Sequence, residues 1–121
     1  MTVPFIAIID DDELLCSSLV DLIGSIGFCA EPFTSAQAFL TSAKLASWDC
    51  IIADINMPGM SGLRLLRELR EQGIMTPLIL ITALPERHLD ELAISTGALC
   101  LLRKPFETVS LLDYVKKCLK K

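Results

Sequence analysis

Residues 5–15 have the sequence FIAIIDDDELL, in which an apolar run ends in three consecutive carboxylates, Asp10, Asp11 and Asp12. A short, continuously apolar run bounded by polar residues is typical of a strand that is buried on both faces. Acidic side chains repel one another, so three of them at the end of a buried strand need a compensating charge nearby. The source of that charge is the first question that the sequence raises.

Four further apolar runs follow along the chain, and amphipathic stretches separate them. The five runs are residues 3–9, 29–33, 50–53, 77–82 and 98–102. The stretches between and after them have helical spacing, with Ser35 and Ser61 as predicted N-terminal caps and a weak pattern over residues 86–95. A βα unit repeated five times predicts an open parallel sheet with helices on both faces.

The position of Pro32 predicts the order of the strands. This proline lies inside the second run, and proline is tolerated in an edge strand but not in a central one. The predicted order is therefore 2-1-3-4-5, that of a flavodoxin-like (βα)5 doubly wound α/β fold. In such a fold the site lies beyond the carboxyl ends of the strands, where the strand order reverses.

The composition predicts one globular domain over residues 1–121, with a net charge of −4 that argues against a nucleic-acid-binding surface. The basic segment KKCLKK at residues 116–121 is expected to end a helix rather than to contact DNA. We expect no signal peptide, and no apolar run approaches the roughly 18 residues of a membrane span. The five cysteines lack CxxC spacing, so we expect reduced thiols in a cytoplasmic protein.

Polar side chains follow the predicted strands at one edge of the sheet. Asp10 and Asp11 follow the first strand, Asp54 the third and Lys104 the fifth, while Thr82 ends the fourth. Singly, such residues are more often helix caps, strand formers or surface charges, and Asp11 or Asp12 could cap the first helix. Together, at a predicted switch point, they indicate a functional site.

Charge arithmetic indicates what chemistry the site supports. Two carboxylates about 4 Å apart repel by about 4 kcal/mol at an effective dielectric constant of about 20. Protonation, an ammonium or a divalent cation would relieve this repulsion, and oxygen ligands favour Mg²⁺, whereas Zn²⁺ would require Cys or His. With the cation bound, Asp54 is predicted to act as a nucleophile toward phosphorus, and Thr82 and Lys104 to hold the phosphoryl oxygens.

The motifs IIDDDE, DINMPGMSGLRLL, PLILITA and GALCLLRKPF together resemble the receiver domain of two-component response regulators, most like its FixJ branch. The resemblance covers essentially the whole chain. It implies that Asp54 accepts a phosphoryl group and that Mg²⁺ binds Asp10, Asp11, Asp54 and the backbone carbonyl of Asn56. The implied phosphoryl donor is a sensor histidine kinase or a phosphotransfer protein.

The resemblance also implies how the domain signals. Thr82 would be the switch hydroxyl, Ala83 would leave the phosphate accessible, and Lys104 would bind the phosphate next to a cis Lys104–Pro105 bond. Phosphorylation would draw Thr82 inward and shift the fourth helix, the fifth strand and the fifth helix, which would form a dimer or docking face. A DNA-binding effector domain would follow in the native protein, so transcription would be the output. The alternative is a stand-alone receiver that acts by docking.

Two residues depart from the pattern of the family. Leu101 takes the place of the switch aromatic, and Cys100 takes the place of an acidic or polar residue. We favour a core substitution for both, and an apolar output face is the second hypothesis. His88, the only histidine, lies on the weak fourth helix away from the acidic residues, so we expect no phosphoryl or metal role for it.

Two other functions share parts of this pattern. A Mg²⁺-dependent phosphatase that forms a phosphoaspartate would carry a second Asp two residues after the nucleophile, where this chain has Asn56. A flavodoxin-like cofactor binder would carry a loop rich in Ser, Thr or Gly after the first strand, where this chain has carboxylates that repel phosphate. We therefore predict a phosphoryl acceptor with self-limited dephosphorylation, not an enzyme.

Overall fold

A computed structural model of the chain describes residues 3–42, 45 and 47–119, so Lys120 and Lys121 of the basic segment lie outside the described residues. The strands are β1 (Phe5–Ile9), β2 (Cys29–Phe33), β3 (Cys50–Asp54), β4 (Leu78–Thr82) and β5 (Cys100–Arg103). The helices are α1 (Glu13–Ser25), α2 (Ala36–Leu40), α3 (Gly62–Glu71), α4 (His88–Thr96) and α5 (Thr108–Cys118). None of the described helices is long and apolar enough to span a bilayer.

The described strands form one parallel sheet in the order β2-β1-β3-β4-β5. This order confirms the predicted flavodoxin-like α/β fold, including the edge position of the strand that carries Pro32. The order reverses at β1 and β3, so the carboxyl ends of these two strands flank the switch point. Asp10 follows β1 and Asp54 ends β3, which places both aspartates at this point.

Two separate cores cover the two faces of the sheet, because side chains alternate along each strand. One core packs against α2, α3 and α4, and its strand residues include Ala7, Ile9, Ile51, Ala53, Leu78 and Leu80. The other, which we call the α1–α5 core, includes Ile6, Ile8, Ile52, Ile79 and Ile81. Burial of both faces explains why the central strands are continuously apolar.

The fifth strand begins two residues later than the apolar run predicts. Gly97 ends α4 with a φ of +117°, a left-handed conformation that glycine adopts readily. The amides of Gly97 and Ala98 both donate to the carbonyl of Ala93, at 3.2 and 2.9 Å. The end of the helix therefore uses the Ala98 amide, and bonding to β4 begins with the Leu99 amide, which donates to the Leu78 carbonyl at 2.8 Å.

The two residues of β5 that depart from the family pattern lie on opposite faces of the sheet. Leu101 is half-buried against the core beneath α2, α3 and α4, and Cys100 is buried in the α1–α5 core. Both positions agree with a core substitution, and the hypothesis of an apolar output face stays a prediction. All five cysteines are free thiols, and Cys29 is the exposed one.

Candidate functional site

Asp10 is the buried carboxylate that follows β1, and its exposed fraction is 0%. Its two oxygens have different partners: Oδ1 accepts a hydrogen bond from the Asp12 amide at 3.0 Å, and Oδ2 accepts one from Lys104 Nζ at 3.0 Å. Its amide donates to the Phe33 carbonyl of the edge strand at 3.0 Å. A buried carboxylate with both oxygens bonded is held in one orientation.

Asp54 ends β3 on the other side of the switch point and is 5% exposed. Its Oδ1 accepts a hydrogen bond from the Asn56 amide at 3.1 Å, and its Oδ2 accepts one from Lys104 Nζ at 2.9 Å. The first residue of α3, Gly62, packs directly on the backbone of Asp54. A Cβ at Gly62 would lie 2.9 Å from the carbonyl carbon of Asp54 and would collide with its oxygen, so a glycine is required there.

The Lys104 ammonium bridges the two buried carboxylates, and its side chain is 24% exposed. Burial by itself lowers the pKa of Lys104, but the hydrogen bonds and charges of Asp54 and Asp10 outweigh burial, so the pKa is raised overall. Lys104 is therefore charged at neutral pH. Its amide donates to the Thr82 carbonyl at 2.7 Å, and the Lys104–Pro105 peptide bond is cis, as the resemblance implies.

Asp11 supplies a third, exposed carboxylate to the same cluster. One oxygen from each of Asp10, Asp11 and Asp54 lies within 4.8 Å of the other two. One ammonium does not compensate three carboxylates, so the cluster retains negative charge that a cation would neutralise. A donor set made only of oxygen atoms fits a hard divalent cation such as Mg²⁺ and does not fit Zn²⁺.

Asp12 has a structural role, which answers the question of which aspartate caps the first helix. It is the N-cap of α1, and its Oδ1 accepts hydrogen bonds from the amides of Leu14 and Leu15 at 3.1 and 3.2 Å. Two of the unpaired amides in the first helical turn are satisfied in this way. The three consecutive aspartates thus divide into two members of the cluster and one helix cap.

The uncharged site residues lie around the cluster. Thr82 ends β4 and is 0% exposed, and its Oγ1 accepts a hydrogen bond from the Leu84 amide at 3.0 Å. Ala83, the next residue, is exposed, as is Asn56, two residues after Asp54. The structure therefore brings the four charged residues together, whereas the Thr82 hydroxyl bonds to an amide of the loop that follows β4.

Sequence reasoning did not assign a role to Gly62 or to Arg103. The signal for Gly62 is a glycine, a poor helix former, directly after the predicted cap Ser61. Arg103 ends β5, and its Nη1 donates to both carboxylate oxygens of Asp90, at 3.0 and 2.9 Å. Its Nη2 donates to the Glu86 carbonyl at 2.6 Å. These partners are 13 and 17 residues away along the chain, so no local pattern identifies Arg103.

Comparison with known families agrees with this fold. Residues 6–116 match the family model described as response regulator receiver domain. The match extends over nearly the whole chain, so the chain belongs to this family and is the receiver domain of a response regulator. The resemblance inferred from its motifs is thereby confirmed.

Two relatives and one solved structure are similar to the chain over most of its length. The response regulator protein TodT of Pseudomonas putida and the transcriptional regulatory protein FixJ of Bradyrhizobium diazoefficiens are each 37% identical to it. The aligned segments cover 95% and 84% of this chain but 51% and 50% of the relatives, so the chain spans about half their length. The crystal structure of FixJ-N is 30% identical, has a TM-score of 0.88, and is matched over 98% of this chain and 95% of that chain.

Proposed function

We propose that this receiver domain accepts a phosphoryl group on Asp54, with Mg²⁺ bound by Asp10, Asp11, Asp54 and the backbone carbonyl of Asn56. The observation that carries the proposal is the Lys104 ammonium, which bonds to two buried carboxylates beside a third one. Asp54 lies next to a fixed ammonium and to two carboxylates proposed to bind a cation. An ammonium and a bound cation are groups that stabilise a phosphoryl group.

The phosphoryl group comes from a phosphohistidine of a sensor histidine kinase or of a phosphotransfer protein. A carboxylate oxygen of Asp54 attacks the phosphorus atom, the P–N bond to the imidazole of the donor breaks, and the imidazole leaves with the electron pair. The product is an acyl phosphate on Asp54. A magnesium ion at the site would neutralise the negative charge of the carboxylates and of the phosphoryl oxygens.

Three residues are proposed to hold the phosphoryl group. The Lys104 ammonium already bonds to Oδ2 of Asp54, so it can donate to a phosphoryl oxygen without leaving the site. The Thr82 hydroxyl accepts a hydrogen bond from the Leu84 amide, which leaves its proton free for another phosphoryl oxygen. Ala83 is exposed and small, so it leaves the approach to the phosphate open.

A groove next to Lys104 supports docking of a protein donor. It lies between α1 and the segment that leads into α5, and its volume is about 460 Å³. Its lining includes the apolar residues Leu15, Leu19, Leu22, Pro105 and Phe106. An apolar groove beside a reactive carboxylate suits the surface of a protein partner better than a small, charged phosphate ester.

The output of the domain is proposed to follow from movement of Thr82 toward the phosphoryl group. That movement would shift α4, β5 and α5 and form a dimer or docking face. Because the relatives are about twice as long and FixJ is named a transcriptional regulator, we propose that the whole protein carries an effector domain that contacts DNA. A stand-alone docking receiver is the alternative. The five free thiols and the proposed donor favour a cytoplasmic location.

A Mg²⁺-dependent phosphatase is the competing function for this site. It would need a general acid two residues after the nucleophile, and Asn56 offers only a carboxamide at that position. Hydrolysis would therefore be limited to the acyl phosphate on Asp54, and the domain would not turn over external phosphate esters.

Incubation with acetyl phosphate and Mg²⁺ tests the proposal. Intact-mass spectrometry should show one added phosphoryl group that hydroxylamine releases, because acyl phosphates are labile to that nucleophile. Asp54→Asn should show no adduct. Asp21→Asn, which alters an exposed carboxylate of α1, should be labelled like the wild type. Labelling that persists in Asp54→Asn, or repeated turnover of an unrelated phosphate ester, would contradict the proposal.

A further inference from the structure

We infer that Arg103 is a latch that holds the β4–α4 loop, residues 83–87, in the arrangement of the unphosphorylated domain. The inference rests on the function proposed for Asp54 and adds a regulatory element to it. Arg103 is the register partner of Thr82 across β4 and β5, so it lies beside the proposed switch hydroxyl. Its guanidinium bonds to the Glu86 carbonyl in the loop and to the Asp90 carboxylate in the first turn of α4.

Helix α4 has few other anchors at its beginning. Its N-cap residue, Arg87, makes no side-chain cap hydrogen bond, and its buried residues are Leu89 and Ala93. The amides of Leu89 and Asp90 donate to the backbone carbonyls of Glu86 and Arg87, at 3.4 and 3.2 Å, and no side chain caps the first turn. The contacts of Arg103 therefore add the side-chain restraint that the start of this helix otherwise lacks, and they bias the position of the loop and of the first turn.

Two hydrogen bonds, joined by the backbone of residues 84–86, connect the latch to the site. The Thr82 hydroxyl accepts from the Leu84 amide at 3.0 Å, and two residues later the Glu86 carbonyl accepts from Arg103 at 2.6 Å. If the hydroxyl turns toward a phosphoryl group on Asp54, it either carries the Leu84 amide with it or loses that bond. The first outcome displaces the loop and the second frees it to move, whereas the Arg103 contacts hold Glu86 and the first turn of α4 in place. Arg103 therefore opposes the phosphorylated arrangement.

These contacts are weak enough to favour one arrangement of the loop without preventing the other. The Arg103 side chain is 34% exposed and that of Asp90 is 51% exposed. An ion pair with this exposure contributes little to stability, so phosphorylation can break it. By linkage, a contact that favours the unphosphorylated state must weaken the binding of any ligand that favours the phosphorylated state. Loss of the latch is then visible as tighter binding.

The test uses fluoroberyllate with Mg²⁺, which mimics a phosphoryl group on a carboxylate. Its dissociation constant is measured for the wild type, Arg103→Gln, Asp90→Asn and the double variant. Each single variant should bind about two- to fivefold more tightly than the wild type. The double variant should bind no more tightly than Arg103→Gln, since Asp90→Asn affects only the ion pair that Arg103→Gln has already removed. Without fluoroberyllate, amide hydrogen exchange over residues 84–90 should be faster in the variants.

Arg87→Gln is the matched control, because it makes the same substitution in the loop that Arg103 contacts. The Arg87 side chain has no hydrogen bond or ion pair with the described residues, so its loss should leave the affinity unchanged. If the wild type binds fluoroberyllate and Arg103→Gln binds with equal or lower affinity, the latch is wrong and the proposed function stands. Equal tightening in Arg87→Gln would also overturn the latch. If the wild type neither binds fluoroberyllate nor accepts phosphate from acetyl phosphate, the proposed function fails, and the latch fails with it.

Discussion

Helices α1 and α4 both follow a strand that ends at the site, yet they are anchored in different ways. The carboxylate of Asp12 caps two amides of α1, whereas α4 has Arg87 at the corresponding position and no cap bond from a side chain. Helix α1 has 13 residues and buries Cys16, Leu19 and Ile23. Helix α4 has nine residues and buries Leu89 and Ala93.

This contrast separates the site into a fixed half and an adjustable half. Asp10 and Asp11, two of the carboxylates proposed to bind the cation, directly precede the cap of α1, where the cap and packing fix the backbone. The Thr82 hydroxyl lies beside α4, where a few partly exposed contacts hold the loop. Under the proposed function, such a domain would keep the geometry of its cation site constant while the side next to α4 responds to the phosphoryl charge.

The largest effect on this comparison should come from Lys104→Met, because Lys104 contacts both halves. Without Mg²⁺, the variant should lose about 2 kcal/mol of the free energy of unfolding, since two buried carboxylates lose their counter-charge and Lys104 is partly exposed. Saturating Mg²⁺ should restore part of this loss. Urea unfolding can be followed by the fluorescence of Trp48, the only tryptophan, which is buried.

Lys117→Met provides the control for the Lys104 variant. Lys117 lies over the ring of Tyr114 on α5, 4.9 Å from its centroid, and makes none of the described ion pairs. Its substitution should change the free energy of unfolding by no more than about 0.5 kcal/mol. Equal stability of wild type and Lys104→Met in Mg²⁺-free buffer would show that the ammonium does not compensate the carboxylates.

The next effect is a loss of stability at alkaline pH, which depends on the buried thiol of Cys16 in α1. The Cys16 thiol donates to the Asp10 carbonyl at 3.3 Å, and burial, with a further contribution from the Asp10 charge, raises its pKa from 9.0 to about 11. Between these values the unfolded chain ionises first, so the free energy of unfolding falls as pH rises. From pH 8 to pH 10 in Mg²⁺-free buffer, the wild type should lose about 1 kcal/mol more than Cys16→Ala.

The raised pKa of Lys104 acts in the same direction but only above its ordinary value of 10.5, and both variants share it. The difference between the two pH profiles therefore isolates Cys16. Parallel profiles would show that the Cys16 thiol is not buried against the sheet. The tighter packing of α1 relative to α4 would then be in error at this residue.

The smallest effect comes from the two helix starts themselves. Asp12→Ala should cost roughly 0.5–1 kcal/mol of the free energy of unfolding, because two amides of α1 lose their acceptor. Arg87→Ala, at the corresponding position of α4, should change it by less than about 0.5 kcal/mol. Urea unfolding of both variants measures the difference. An equal cost for the two substitutions would remove the distinction between a capped and an uncapped start.

The features that depend on local pattern could be predicted from the sequence. Strands buried on both faces are continuous apolar runs, so their number and order followed from the runs and from Pro32. The charged part of the site followed as well, because the carboxyl ends of parallel strands meet at one edge. Asp10, Asp54 and Lys104 come together for that reason. From the sequence we assign the compensating charge to a cation, whereas the structure shows the Lys104 ammonium bonded to two of the carboxylates.

Features that depend on how a helix is placed could not be predicted. Helix α4 begins at His88, two residues after the predicted start, because the preceding residues form the loop that Arg103 contacts. The bond between the Thr82 hydroxyl and the Leu84 amide depends on the conformation of that same loop. Neither feature has a periodic signal, since each arises from a turn whose shape is set by contacts distant in the sequence.

Pro32 has a further consequence for how the sheet meets other chains. Because proline has no amide hydrogen, an extra strand cannot form a continuous hydrogen-bond ladder along β2, and the neighbouring charge of Glu31 also opposes it. Strand addition is thereby directed to the opposite edge, β5, which ends in Arg103. Intermolecular pairing of this sheet would therefore occupy the strand that leads into the site, and it would compete with the output face proposed for α4, β5 and α5.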